Sequence, residues 1–137
     1  MGEYRKPLPD PELDSQLFWE GCKRHELILK ECLSCGMHRF VSRLFCPRCQ
    51  AEETRWVKGS GKGEVYTYTV MHQPYHPAFA PDLPYVVAII ELEEGVRLIS
   101  NVIGCRPQEV DVGMKVEVVF DDVTDEVTLP KFKPVAT

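Results

Sequence analysis

Hydrophobic residues recur with two different periods along the chain of 137 residues, one in each half. Near the start, Phe18 and Cys22 stand four positions apart, as do the leucines just before them, which places apolar side chains on one face of a helix. Asp14 is a candidate N-cap, and the basic residues that follow suit the negative end of a helix dipole. The pattern therefore predicts a short helix over residues 14–25, after an extended, proline-rich arm over residues 1–13.

Beyond residue 63, apolar and polar residues alternate, which is typical of half-buried β-strands. Turn residues divide this half into five predicted strands: Glu64–His72, Pro84–Glu93, Val96–Ile103, Met114–Val123 and a last strand near Val127–Leu129. Five short strands with one long loop fit a small closed barrel of OB type, because an open sheet would leave edges that nothing protects. The prediction is a mainly β fold with an N-terminal helix and a C-terminal five-stranded OB-fold barrel.

Four of the six cysteines form two Cys-x-x-Cys pairs, Cys32 with Cys35 and Cys46 with Cys49. This spacing predicts a rubredoxin-like zinc ribbon, in which each pair directs two thiolates at one tetrahedral Zn²⁺ and Gly36 permits a tight turn. Four thiolates close the coordination sphere, so the predicted role of the zinc is structural. Two disulfides, a thioredoxin-like redox pair or an iron site would use the same residue types. A cytosolic setting and the lack of a βαβ pattern disfavour the first two, and the ligand set leaves iron open.

The segment 59–63 is the only glycine cluster in the chain and marks a boundary between modules. The expected division is an arm and helix over 1–28, a zinc ribbon over 29–58 and an OB-fold domain over 59–137. A segment of about 30 residues cannot build its own core, so we expect zinc to stabilise the ribbon and chelation to unfold residues 26–58. Cys22 and Cys105 lie outside the two pairs and are predicted to be packing residues.

The net charge of −5 conceals an uneven distribution. Residues 1–62 carry 11 Lys and Arg against 9 Asp and Glu, and residues 63–137 carry 5 against 12. An acidic barrel repels a phosphate backbone, which disfavours nucleic acid as a partner. One feature favours nucleic acid: alternation would place Tyr66 and Tyr68 on one strand face, with Val70 and His72, and bases could stack on such a face. The acidic charge of the barrel outweighs this feature.

Neither membrane insertion nor stand-alone catalysis is indicated. The longest apolar run, residues 84–90, is far shorter than the roughly 18–20 residues that cross a bilayer, and the first ten residues contain no apolar signal segment. We therefore expect a cytoplasmic protein. The four histidines are dispersed, and no catalytic triad, paired carboxylates or phosphate-binding loop stands out.

An ordered set of motifs runs through nearly the whole chain: Leu17-Phe18-Trp19-Glu20, Cys32-x-x-Cys35-Gly36, Cys46-Pro47-x-Cys49, Trp56, Gly61 to Val70, Pro84 to Ala88, Glu94 to Leu98, Asn101 to Cys105, and Gly113-Met114-x-Val116-x-Val118. In this order the motifs resemble the domain-of-unknown-function 35 family, which pairs a rubredoxin-like zinc ribbon with a C-terminal OB fold. The resemblance covers far more of the chain than any single motif.

The resemblance implies a non-catalytic accessory subunit of a thiolase-like enzyme complex, such as an aldolase or another acyl-CoA-processing assembly. The thiolase-fold partner would supply the catalytic residues, and this chain would dock onto it and help to hold the CoA thioester. Residues 30–62 carry seven basic against three acidic side chains, which suits the phosphates of CoA. The predicted CoA contacts are Arg43, Arg48, Lys58 and Lys62 for phosphates, with Tyr68 and His72 along the path. Two alternatives remain, a single-stranded nucleic-acid-binding protein and a stand-alone CoA-ester hydrolase or lyase.

Overall fold

The computed structural model describes residues 4–10, 15–40 and 44–135 of the chain. Within these residues the elements, in chain order, are helix α1 (Gln16–Lys23), strands β1 (Ile28–Cys32), β2 (His38–Arg39), β3 (Thr54–Lys58) and β4 (Lys62–Met71), a 3₁₀ turn (Pro77–Asp82), β5 (Tyr85–Leu92), β6 (Arg97–Val102), a second 3₁₀ turn (Pro107–Glu109), β7 (Lys115–Asp122) and β8 (Thr128–Pro134). No helix in the part of the chain that the structure describes is long and apolar enough to cross a membrane.

The strands form two sheets. In the first, β1 lies between β2 and β3 and pairs antiparallel with both. In the second, β4 to β8 form a closed barrel in the order β4-β5-β6-β8-β7, and antiparallel pairing of β4 with β7 completes the circle. Together with α1 and the cysteine cluster of the first sheet, this architecture confirms the predicted fold class.

Helix α1 is shorter than the pattern predicted. Its N-cap is Ser15, and the predicted cap Asp14 lies outside the described residues. The helix ends because His25 adopts a left-handed backbone with φ of 63°. Its amide donates to the carbonyl of Cys22 at 2.8 Å, and the amide of Glu26 donates to the carbonyl of Gly21 at 2.8 Å. A non-glycine residue in this conformation is uncommon, so the sequence pattern placed the end of the helix two residues too late.

A β-bulge in β4 changes which side chains share a face. Val65 pairs with Ile90 and Thr67 with Ile89, so Tyr66 is the extra residue. A bulge shifts the alternation by one position. Tyr68 therefore packs against the core, while Tyr66 is exposed on the outside of the barrel. The expectation that Tyr66 and Tyr68 share one face is wrong, because strict alternation assumes an unbroken ladder.

Strand β8 is longer than predicted, although it contains Pro130 and Pro134. Proline usually argues against a strand because it has no backbone N–H for the ladder. Here the backbone of Pro130 faces β6 rather than β7, since its carbonyl accepts a hydrogen bond from Ser100 Oγ at 2.8 Å. The missing N–H therefore costs no hydrogen bond of the β7–β8 ladder, and pairing continues to Pro134, opposite Val116.

One hydrophobic core joins the helix, the ribbon and the barrel. Phe18 and Cys22 of α1, together with Leu27 and Leu29 at the base of the ribbon, belong to the same buried cluster as the inward-facing side chains of the barrel. That barrel set consists of Val65, Val86, Ala88, Ile90, Leu92, Val96, Leu98, Val102, Val110, Val116 and Phe132. Cys22 is fully buried, as a packing residue should be, and burial raises the pKa of its thiol to about 12. Cys105 is partly buried against this core.

A polar cluster on the surface fastens the end of the helix to the barrel. His25 Nε2 lies 3.0 Å from Asp122 Oδ1 on β7, and the His25 ring stacks on Phe120 at 5.2 Å between centroids. Thr128 on β8 donates its hydroxyl hydrogen to the same carboxylate. These contacts connect residues almost a hundred positions apart, so they constrain how the helix sits on the barrel.

Substituting Asp122 by Asn tests this cluster through its pH dependence. The hydrogen bonds from Thr128 and His25 hold the pKa of the Asp122 carboxyl below its usual value. A carboxyl with a lowered folded pKa stabilises the protein above the unfolded pKa of about 3.9 and loses that effect as the pH falls through the folded pKa. We expect the wild type to unfold at a higher temperature than Asp122→Asn at pH 7, and the difference to shrink below about pH 4.

Thermal unfolding followed by circular dichroism measures this difference, and Asp111→Asn, which changes an exposed aspartate outside the cluster, is the control. Loss of zinc in acid should affect the wild type and Asp122→Asn equally. The quantity that reports on the carboxylate is therefore the difference between their unfolding temperatures. A difference that stayed constant from pH 7 to pH 2 would contradict the proposed role of the carboxylate.

Candidate metal centre

The four paired cysteines meet at one point of the ribbon. All four Sγ atoms lie within 4.8 Å of one another, and the closest pairs are Cys32 with Cys49 at 3.6 Å and Cys35 with Cys46 at 3.5 Å. Zn–S bonds of about 2.3 Å hold the thiolates of a tetrahedral site roughly 3.8 Å apart. The donor set and its spacing therefore fit a structural Zn²⁺ with no position left for water.

The two cysteine turns repeat the same hydrogen-bond pattern. In the first, the amide of Gly36 donates to the carbonyl of Cys32 at 2.9 Å, and the amide of Cys32 donates to the carbonyl of Met37 at 2.8 Å. In the second, the amide of Gln50 donates to the carbonyl of Cys46 at 2.7 Å, and the amide of Cys46 donates to the carbonyl of Ala51 at 2.9 Å. Each turn therefore directs two sulfurs to the same side, as one shared ion requires.

Both turns end on a left-handed residue, Gly36 with φ of 77° and Gln50 with φ of 64°. The sequence indicated this only for the first turn, where glycine adopts the conformation at no steric cost. Gln50 bears the strain that an L side chain meets in this region. The geometry of the second turn thus depends on the surrounding contacts and on the metal more than that of the first.

The thiols of the cluster do not all ionise equally when no cation neutralises them. The backbone amide of Met37 and the Arg48 side chain lower the pKa of the Cys35 thiol to about 6. For Cys49 the amide of Ala51 lowers the pKa, but burial and the neighbouring thiols outweigh it and raise the pKa to about 11. A divalent cation removes the repulsion between neighbouring thiolates, because its charge stabilises all four at once.

Two arginines that the sequence counted among surface charges instead support this centre. Arg39 is only 3% exposed, and its Nη2 donates to the carbonyls of Leu44 at 2.9 Å and Glu52 at 3.4 Å, which braces the backbone on both sides of the second turn. Arg48 Nη2 donates to the carbonyl of Cys35 at 2.8 Å and so connects the two turns. No sequence signal distinguishes a bracing arginine from a solvated one, because the difference lies in which backbone carbonyls the fold brings within reach of the guanidinium.

The residues predicted to contact CoA lie in separate places. Arg48 sits at the metal centre, while Lys58 and Lys62 flank the turn between β3 and β4, where Lys58 Nζ is 4.0 Å from Glu26. Tyr68 packs against the barrel core, and His72 follows the far end of β4. Lys62 and His72 therefore lie toward opposite ends of β4, a strand that would span about 33 Å if it were straight.

Arg43 lies outside the described residues. Among the five predicted residues that the structure describes, Lys58 and Lys62 form an exposed basic pair on one short turn.

Two family models match adjacent parts of the chain. The model described as ChsH2, rubredoxin-like zinc ribbon domain, matches residues 19–55, and the model described as ChsH2, C-terminal OB-fold domain, matches residues 56–121. Together they cover the first sheet, the metal centre and the barrel almost to the end of β7, and the first agrees with the structural zinc site inferred from the cysteine geometry.

Known relatives are similar over most of the chain. A DUF35 domain-containing scaffold protein of Methanocaldococcus jannaschii is 42% identical over 85% of this chain and 88% of its own length. A probable enoyl-CoA hydratase alpha subunit of Thermomonospora curvata is 37% identical over 94% of this chain, which spans only 40% of that relative. Among solved structures, a chain of the Ltp2-ChsH2(DUF35) aldolase is 36% identical with a TM-score of 0.84, over 94% of this chain and 100% of that one. The chain belongs to the DUF35 family of ChsH2-type proteins with a zinc ribbon and an OB fold.

Removing zinc is expected to unfold the cysteine turns and leave the barrel intact. Leu27 and Leu29 share the barrel core, so the base of the ribbon has support that the turns lack. The loss should therefore be narrower than the segment 26–58 expected from the sequence. Amide hydrogen exchange separates the regions. After chelation the amides of Gly36 and Gln50, which are hydrogen-bonded within the two cysteine turns, should lose protection, whereas the amide of Val65 in the barrel should keep it.

Metal analysis must show complete removal of one zinc per chain before the exchange rates are compared. Cys105→Ser is the matched control, since it changes a cysteine outside the cluster and should retain the metal. Unchanged protection of the Gly36 and Gln50 amides after removal of the zinc would contradict the prediction.

Proposed function

We propose that this chain is a non-catalytic accessory subunit that docks onto a thiolase-fold enzyme acting on acyl-CoA. The observation that carries the proposal is the similarity to a chain of the Ltp2-ChsH2(DUF35) aldolase, which extends over the whole of that chain. The relative described as a scaffold protein and the relative described as a hydratase subunit support a role within an enzyme assembly. The closed four-thiolate centre adds physical support, because it offers no open position for substrate.

Within such a complex, the chain would contribute to holding the CoA thioester. Lys58 and Lys62 are the candidates among the described residues, since both are exposed at one turn in the basic part of the chain. Lys58 is bound only loosely to Glu26, at 4.0 Å, so its ammonium can turn toward a phosphate. The other predicted contacts stand apart from this pair, and we do not assign them to the same ligand surface.

The structure removes one argument for a nucleic-acid binder. A stacking platform needs aromatic side chains side by side on an exposed face. The bulge in β4 turns Tyr66 outward and Tyr68 toward the core, so the two rings do not form one. The acidic charge of the barrel half weighs in the same direction.

Co-expression tests the proposed assembly. The chain is produced together with thiolase-fold enzymes of its own organism, one partner carrying an affinity tag, and the product is analysed by size-exclusion chromatography and by activity on acyl-CoA substrates. We expect a stable complex of defined stoichiometry whose activity is at least 10-fold that of the enzyme alone. This follows because a required subunit completes the stability or the substrate site of its partner.

Three outcomes would contradict the proposal. They are turnover of CoA esters by the isolated chain, co-purification of nuclease-sensitive material in place of an enzyme, and failure of every thiolase-fold candidate to bind. The Cys46→Ser variant is a useful comparison, since loss of a metal ligand should weaken complex formation only if docking involves the ribbon.

Reversing the charges of Lys58 and Lys62 tests the CoA contact separately. In the assembled complex, Lys58→Glu with Lys62→Glu is expected to raise the KM for acyl-CoA about 10-fold and leave kcat nearly unchanged, because a phosphate contact remote from the reacting atoms contributes equally to ground and transition states. Arg106→Glu, which reverses an exposed charge in the acidic half, is the control. A KM equal to that of the wild type would remove both lysines from the ligand surface.

A further inference from the structure

We propose that the chain receives its enzyme partner on an apolar strip across the helix, the ribbon and the barrel, and that the partner fills it with a projecting apolar side chain flanked by a carboxylate. The strip consists of Trp19, Phe40, Tyr66, Ile89 and Ile99. The inference rests on the proposed function, which says that a partner exists, and adds where it binds.

The centre of the strip is an isoleucine that the barrel does not bury. Ile99 is 73% exposed in the middle of β6 and pairs across the sheet with Ile89 of β5. The inward neighbour Leu98 is 4% exposed, so the strand already supplies its core residue at this point. An outward-facing pair of isoleucines adds nothing to the core of this chain. A cluster of this kind marks a surface that another molecule covers.

Tyr66, the extra residue of the bulge in β4, lies on the same face. It follows the inward-facing Val65 and is 47% exposed, while the bulge turns Tyr68 toward the core. The Arg97 guanidinium lies 3.8 Å from the centre of the Tyr66 ring, and Arg97 Nε donates to Glu91 at 2.9 Å. Both side chains are thus held in place before any partner arrives, which lowers the entropic cost of binding.

Two adjoining grooves give the strip its shape. One, of about 500 Å³, lies between α1 and strands β6 and β8, and the other, of about 400 Å³, lies on the outer face of the barrel. Phe40, Leu98 and Ile99 line both, so the grooves are continuous. Phe18 fixes the aromatic wall, because Trp19 and Phe40 each pack edge-on against it at 5.1 Å between ring centroids.

The charges around the strip indicate a protein surface rather than a phosphate ligand. Arg97 is the one charged residue among the described residues that line the smaller groove, and its side chain is half exposed although Glu91 holds it. Asp10 and Lys131 also line the larger groove, and Lys131 is already paired with Asp121 at 2.7 Å. An apolar centre with a polar rim is the usual anatomy of a protein interface, and tryptophan, tyrosine and arginine are the residues enriched at its hot spots. A carboxylate of the partner would complement Arg97.

Replacing Ile99 by Lys tests the strip with little risk to the fold, because the side chain is exposed. In the co-expressed complex with the thiolase-fold enzyme, Ile99→Lys is expected to raise the Kd at least 100-fold, and Tyr66→Ala about 10-fold, by isothermal titration or sedimentation. The control is Val112→Lys, which places the same charge on an exposed apolar position outside the strip, 66% exposed, and should change the Kd less than 3-fold. Zinc content and thermal midpoint should match the wild type in all three variants.

The outcomes separate this inference from the proposed function. If the wild type binds the enzyme and Ile99→Lys binds equally well, the strip is not the docking surface, while the role as accessory subunit stands. If the wild type binds no thiolase-fold enzyme, the proposed function fails and the inference fails with it. If Val112→Lys weakens binding as much as Ile99→Lys, the effect is one of general surface charge and the strip is again excluded.

Discussion

Strands β6 and β8 are joined by little backbone pairing, and the arrangement of the helix and the ribbon depends on how the core is covered at this junction. Within the described residues the backbone register of these two strands pairs only at Val102 with Phe132. Helix α1 packs against β8 and contributes Phe18 and Cys22 to the core. Each square ångström of apolar surface kept from water contributes about 25 cal/mol, so a core open along one seam would lose much of its stabilisation. The barrel therefore depends on a helix that belongs to the other half of the chain.

This dependence fixes the ribbon on the barrel. The chain passes from α1 into β1 through a turn at His25, which is itself held by Asp122 of β7. The metal centre lies beyond this anchored base, where the turns have little core of their own and the metal supplies what packing does not. The result is one body with a zinc-stabilised end. Three parts of the chain thereby come together in the grooves beside Trp19, Phe40 and Ile99, a surface that neither half could form alone.

Much of the fold and the metal site could be predicted from local sequence. Two residues between paired cysteines place both sulfurs on one side of a turn. The spacing of Cys32 and Cys35 therefore predicts metal ligands without any tertiary context. Alternation located the five barrel strands to within a few residues, except that β8 continues to Pro134. The predicted CoA contacts are not local in this sense. Sequence can group basic residues by position in the chain, but it does not say that Arg48 contacts the first cysteine turn or that Lys62 begins a barrel strand, and the CoA contacts stay a prediction.

The sequence by itself determined the positions of the barrel strands and the two Cys-x-x-Cys turns, because each depends on spacings of a few residues that backbone geometry converts into the direction of a side chain. Only the tertiary structure decided which face Tyr66 occupies, that Arg39 braces a metal turn rather than meeting solvent, and that Ile99 stays exposed beside a groove. These properties depend on strand register and on burial against residues distant in the chain. Such pairings are set by the free energy of the whole packed molecule, and no local pattern encodes them.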